Sequence, residues 1–252
     1  MNPGIMRKAA AEGVGTAMLL AAVVGSGIMG ERLAGGNVAI ALLANTVATG
    51  AALVALILAF GPISGAHFNP AVTIADASQG GLKWREAPAY IGAQLAGAFA
   101  GVAAANVMFG EPVFFASHHV RHGAAQLFSE FVATFGLLTV IWGCARRRSD
   151  AVPFAVGAYI TAAYWFTAST SFANPAVTLA RSASDTFAGI RLIDVPGFVV
   201  MQLVGAMAAT ALARWMVPTL PDVAARVVMP HGEAATTSDA EPAVRDSLPQ
   251  SE

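Results

Sequence analysis

Ser64-Gly65-Ala66-His67-Phe68-Asn69-Pro70-Ala71-Val72-Thr73 decides the fold, because Ser171-Phe172-Ala173-Asn174-Pro175-Ala176-Val177-Thr178 repeats its second half. Both copies interrupt apolar sequence. Asn is a favoured helix N-cap, and Pro fits the first helical position, where its missing N–H leaves nothing unpaired. Two helices are therefore expected to start at Asn69 and Asn174, opened by Pro70-Ala71 and Pro175-Ala176 and each reached through a short irregular approach. In lipid, irregular backbone persists only where it is packed in protein or lines a wet cavity. The two stretches together imply a pore with two half-helix N-termini pointing into it.

The sequence on either side suits a membrane. Of 252 residues, 56% are hydrophobic and 12% charged, against about 25% charged in a soluble domain, and mean hydropathy is +0.62. A net charge of −1 offers nothing to nucleic acid, and the single cysteine, Cys144, excludes an intramolecular disulfide. Six stretches reach the roughly 20 residues that a spanning helix needs, namely residues 9–30, 37–60, 86–109, 125–145, 151–170 and 195–217. The first follows Arg7 and Lys8 but is too long for a signal-peptide core, so it reads as a retained span. The helices after Asn69 and Asn174, reaching to about Ser78 and Ser184, are too short to cross and read as re-entrant.

With the N-terminus inside, Arg7, Lys8, Lys83, Arg85 and the run Arg146-Arg147-Arg148 face the cytoplasm, while Arg32, Arg121, Arg181 and Arg191 face out. That bias satisfies the positive-inside rule. Beyond Met216, Pro218-Thr219-Leu220-Pro221 ends the last helix. The sequence from 218 to 252, rich in Glu, Asp, Ser, Thr, Pro and Ala, reads as a disordered cytoplasmic tail.

The repeat extends past the two Asn-Pro-Ala stretches. Ala11-Glu12-Gly13-Val14-Gly15-Thr16 parallels Ser129-Glu130-Phe131-Val132-Ala133-Thr134, and Ala93-Gln94-Leu95-Ala96-Gly97-Ala98 parallels Met201-Gln202-Leu203-Val204-Gly205-Ala206. Three spans per repeat set the halves in opposite orientations, so the broken elements meet near the midplane. Glu12 and Glu130 lie inside apolar helices, where an ionisable group needs a reason. Their matched positions favour accepting hydrogen bonds from the irregular loops, with a proton relay as the alternative. Gly97 and Gly205 let helices approach closely.

These residues resemble the aquaporin superfamily: paired Asn-Pro-Ala, six spans, Ala-Glu-x-x-Gly-Thr in the first, and Ser-Gly-Ala-His-Phe-Asn-Pro-Ala-Val-Thr in the first loop, covering about residues 5 to 217. The resemblance implies an all-α membrane fold of six transmembrane helices plus two re-entrant half-helices in an inverted repeat. The channel domain is residues 1–217, with repeats at about 5–110 and 124–217. It further implies a homotetramer in a lipid bilayer with one pore per subunit, passing small neutral solutes passively, without cofactor or metal. Aquaporin-type pores are themselves the standing example of cation and proton exclusion by half-helix dipoles or an arginine. Capping through the Asn69 and Asn174 side-chain oxygens leaves their amide N–H groups for a passing solute.

The sequence departs from the family at the outer constriction. The position directly after the second Asn-Pro-Ala, usually arginine, is Val177, and Thr178 stands where glycerol channels often carry aspartate. By spacing, and assuming no gap, the other filter positions fall at Thr49, Ala162 and Ser171. The set is small throughout, so a wide filter is expected. Such a filter suits glycerol, urea and undissociated metalloid hydroxides such as arsenous acid. The Val-for-Arg pattern resembles a branch associated with arsenic resistance in bacteria, which points to an inner-membrane channel, and the apolar position favours solutes carrying a methyl group. Arg181, one turn beyond Val177, has two readings: it reaches back to the constriction, or its long stem snorkels to the vestibule, the reading preferred here.

His67 reads as a loop-bracing residue. Ser117-His118-His119-Val120-Arg121-His122 reads as a solvated loop rather than a metal site, because no acidic or cysteine partner adjoins it. Inverted repeats also build coupled transporters, but the only intramembrane acids near the half-helices are Glu12, Glu130 and Asp76. A membrane-junction protein is a further alternative. An enzyme is not expected, since the spans hold no nucleophile–base set and no metal-ligand spacing.

Overall fold

Each short helix begins at its Asn-Pro pair. In the computed structural model, which describes residues 3–145 and 149–217, Asn69 and Asn174 have extended backbone (φ −155° and −159°), and their side-chain oxygens accept N–H groups of the helices they open. The described residues form eight α-helices: α1 Ile5–Leu33, α2 Val38–Ser64, α3 Pro70–Gln79, α4 Ala87–Met108, α5 Ala124–Ala145, α6 Val152–Phe166, α7 Pro175–Arg181 and α8 Val195–Met216. Short 3-10 turns at Ser149–Ala151 and Leu192–Asp194 lead into α6 and α8. Arg146-Arg147-Arg148 and the expected tail from 218 to 252 lie outside the described residues.

Six of these are the long helices of the inverted repeat, and α3 and α7 are its half-helices. Five long helices are apolar and long enough to cross a bilayer. The exception is α6, whose 15 residues extend about 22 Å at 1.5 Å per residue. The expected span of residues 151–170 therefore ends early. Thr167 leaves the helix in an extended conformation, and the chain turns inward toward Asn174. Similarly, α7 stops at Arg181, short of the expected Ser184, and α2 is ended by Gly65 at φ 89°.

Packing follows the repeat. In the first half α1 packs on α2 and α4, in the second α5 packs on α6 and α8, and α2 against α6 joins the halves. Each half-helix touches the last helix of both halves, so α3 and α7 are wedged between α4 and α8. Glycine makes the close crossings possible at equivalent places. A Cβ on Gly97 would run into the Gly13 carbonyl, and one on Gly205 into the Phe131 carbonyl, the residue at the matching position. Large apolar side chains such as Met18, Leu43, Val47, Phe128 and Val204 point outward, as lipid-facing helices require, and Trp165 and Trp215 lie near helix ends.

Candidate functional site

The two caps are joined to each other. Asn69 Nδ2 donates to the Ala173 carbonyl and Asn174 Nδ2 to the Phe68 carbonyl, both at 2.7 Å. A primary amide carries two N–H donors, so each asparagine uses one across the halves and keeps one. Both line a cavity running between the half-helices, of about 650 Å³ counting its open ends. Pro70 and Pro175 occupy the first helical positions, and Ala71 and Ala176 are fully buried, their N–H groups on the capping oxygens.

The approaches to these caps are strained. Ala66, Phe68, Thr170, Ser171 and Ala173 all have φ between 47° and 61°, a region L-residues with a Cβ rarely occupy; each such residue costs of order 1–3 kcal/mol. Buried carboxylates hold them there. Glu12 accepts from the His67 and Phe68 N–H groups at 2.9 and 2.7 Å and from Ser64 Oγ. Glu130 accepts from the Phe172 and Ala173 N–H groups at 3.0 and 2.9 Å. A glutamine completes each arrangement: Gln94 Nε2 bridges Glu12 and Thr73, and Gln202 Nε2 bridges Glu130 and Thr178. The glutamines carry no sequence signal apart from their matching places in the repeat.

His67 is 5% exposed and sits at the cavity wall, with Nδ1 3.2 Å from Thr73 Oγ1 and its ring against Tyr90. Its Nε2 lies 3.5 Å from Oδ2 of Asp76, a wholly buried carboxyl neither of whose oxygens has a hydrogen-bond partner. Among the described residues no group of three or more His, Cys, Asp or Glu is placed to hold a metal.

Thr49, Ser171 and Val177 also line this cavity, with the Ser171 hydroxyl free of any partner. Ala162 does not join them. It faces out from α6, because the inward stripe of that helix runs Val156, Ile160, Tyr164 at four-residue spacing, and Ala162 falls on the opposite side. Tyr164 takes the expected place, its hydroxyl 3.4 Å from Thr49 Oγ1. The cavity wall beside Thr49 therefore carries an aromatic side chain, and the residues there are not small throughout.

Arg181 also departs from expectation. It does not snorkel: at 2% exposure it lines the cavity, its guanidinium 3.5 Å from the Phe172 ring centroid and its Nε donating to the Ala188 carbonyl. Arg121, read from sequence as part of a solvated loop, is buried beside the same ring. Its guanidinium donates to the Ser169, Gly189 and Phe187 carbonyls. Burial pushes this arginine down to about 10, which leaves it charged at neutral pH. The histidines beside it are exposed, as a solvated loop requires. His118 holds Asp185 below the usual carboxylate range through its N–H (2.8 Å) and ring (3.0 Å). Burial, then Arg121 and Arg181, hold His119 below the usual histidine range.

Two half-helices capped by asparagines and tied tip to tip across an internal repeat have a close counterpart among known sequences. The model of the family described as Major intrinsic protein matches residues 2–171 and again residues 148–241. This chain belongs to the major intrinsic protein family. Aquaglyceroporin AqpS of Rhizobium meliloti (strain 1021) is 56% identical to it over 212 residues, 84% of this chain and 91% of that protein. Aquaporin NIP6-1 of Arabidopsis thaliana is 35% identical over 164 residues, 63% of this chain and 52% of its own length. The X-ray structure of the aquaglyceroporin from Plasmodium falciparum shares the fold, with a TM-score of 0.68 over 86% of this chain and 99% of that one, at 23% identity. Membership makes the protein an integral membrane channel for small neutral solutes and not an enzyme.

Proposed function

We propose that this channel passes neutral hydroxyl-bearing solutes larger than water: glycerol-sized polyols and undissociated metalloid hydroxides, with arsenous acid and methylated arsenicals favoured. The observation that carries the reading is Val177 on the cavity wall, where family members usually place arginine. An apolar side chain there removes a long charged group from the constriction and presents methyl groups. Ser171, Asn69 and Asn174 bring polar groups to the lining, and Leu53, Ile57, Leu137, Ile141, Val156 and Ile160 bring aliphatic ones. A solute with hydroxyls on one side and a methyl on the other satisfies both, and a methyl loses no hydrogen bond against Val177. The name of the 56% identical relative, an aquaglyceroporin, supports the size class.

In this reading the free N–H groups of Asn69 and Asn174 receive the solute at mid-pore, and Thr49, Tyr164, Ser171 and Val177 select it. Glu12, Glu130 and His67 brace the loops. The assembly is a homotetramer in the bacterial inner membrane with both termini cytoplasmic, as the family likeness and the arginine and lysine bias support. Stopped-flow permeability of reconstituted vesicles to water, glycerol and arsenous acid tests the reading, with Val177→Arg run in parallel. Wild-type uptake of the larger solutes, lost in the arginine variant while water flux persists, is the expected result. Wild-type vesicles that pass water alone overturn it. Glycerol flux that depends on a proton or sodium gradient would instead show a coupled transporter.

A further inference from the structure

Val177 leaves the constriction without a charge of its own, yet a guanidinium stands one turn away. Arg181 lies four residues beyond Val177, the spacing that puts two side chains on one helical face. It lines the same cavity as Val177, Ser171 and Tyr164. Its neighbours fix it without neutralising it. The Phe172 ring supports the guanidinium plane, a contact that favours a buried arginine. The Ala188 carbonyl takes Nε, while Nη1 is buried with no hydrogen-bond partner. Among the described residues, no carboxylate is within ion-pair distance of it. Arg121, 4.9 Å from the same ring, differs: its Nε, Nη1 and Nη2 all donate to loop oxygens, so it is part of the frame.

We propose that Arg181 is a specificity-determining residue of this channel, supplying from one turn along α7 the positive charge that rejects cations and the donor that orients a neutral solute's oxygen. This inference rests on the channel reading above and deepens it. A charge held in a low-dielectric wall acts strongly on a cation entering beside it. The solute then meets two different surfaces within one turn of α7, an N–H donor from Arg181 and methyl groups from Val177.

The test compares wild type with Arg181→Met, Arg181→Gln and Arg181→Lys in vesicles, after size-exclusion chromatography has shown intact assemblies. Glycerol uptake is followed by light scattering. Proton entry is followed by a trapped pH dye under a valinomycin-clamped potassium potential. Arg181→Met and Arg181→Gln are expected to raise voltage-driven proton entry by at least about tenfold, roughly one 1.4 kcal/mol step in barrier, while still passing glycerol. Arg181→Lys is expected to keep the exclusion. Phe172→Leu retains the arginine but removes the ring beneath it, so it is expected to leak as well, even if the Arg181 variants do not assemble. Variants at either position that conduct glycerol and leak no more than wild type overturn the inference. Wild-type vesicles that pass no neutral solute overturn the channel reading itself, and that result is obtained before any variant is compared.

Discussion

Replacing Glu12 by glutamine removes a charge and almost no volume, and the hydrogen bonds around it set the cost. Oε1 accepts from Ser64 Oγ (2.6 Å) and the His67 N–H (2.9 Å); Oε2 accepts from the Phe68 N–H (2.7 Å) and Gln94 Nε2 (2.8 Å). A carboxamide keeps one acceptor oxygen, and its NH2 must face two donors whichever way it turns. Facing Phe68, it is helped in part when Gln94 flips, because Gln94 Oε1 has no partner, but the Phe68 N–H is then orphaned. Facing His67, the Ser64 hydroxyl can rotate to accept, and the His67 N–H is orphaned instead. One buried backbone donor is lost either way, at about 1–3 kcal/mol, a roughly 5- to 150-fold shift toward loop conformations without the strained φ values at Ala66 and Phe68. Glu12→Gln should therefore lower glycerol permeability per assembled channel and speed amide exchange across residues 65–69. Glu130→Gln should do the same for residues 170–174. Wild-type permeability and unchanged exchange in both variants would refute the idea that these carboxylates hold the pore open.

Tyr164→Ala should widen the constriction and raise permeability to polyols larger than glycerol, while Ala162→Leu, on the outward face of α6, should leave solute selectivity unchanged in the same vesicle assay. Gly97→Val drives a side chain into the Gly13 carbonyl, so α1 and α4 must part; a loss of at least about 1–3 kcal/mol is expected, read as a lower unfolding midpoint in detergent. Asp185 is held low by His118, so its contribution is fully present above the unfolded carboxylate value of about 3.9 and is lost as pH falls through the lower folded value. Amide exchange at residue 118 should accordingly rise only below about pH 4.

The parts of this molecule readable from sequence are those with a local cause. Asn-Pro fixes a helix start by capping chemistry alone, so the N-termini of α3 and α7 are legible to within a residue. Glu12 and Glu130 stand out because acids inside apolar helices need donors, and irregular loops supply them. Tyr164 escapes a spacing argument because counting back from Asn174 assumes a fixed approach. Residues 167–173 form a seven-residue approach in the second half, against four, 65–68, in the first. The apolar stripe at 156, 160 and 164 is the available signal. Arg181 is misleading for a different reason. A long basic side chain snorkels by default, and what overrides that here is Phe172 and the Ala188 carbonyl, contacts made by folding and invisible along the chain. Arg121 is hidden by the same cause, since its acceptors lie 48 to 68 residues away.

The reciprocal bonds between the asparagines and the opposite loops also bear on how the channel is made. The Phe68 carbonyl receives its donor from Asn174, 106 residues later, and Asn69 donates to Ala173. A ribosome that has delivered the first three long helices has thus produced a loop whose tip stays incomplete until the second loop has entered the membrane. The first half by itself offers the bilayer an unfinished, polar hairpin end. The two loops can therefore close on each other only once the second half is in place.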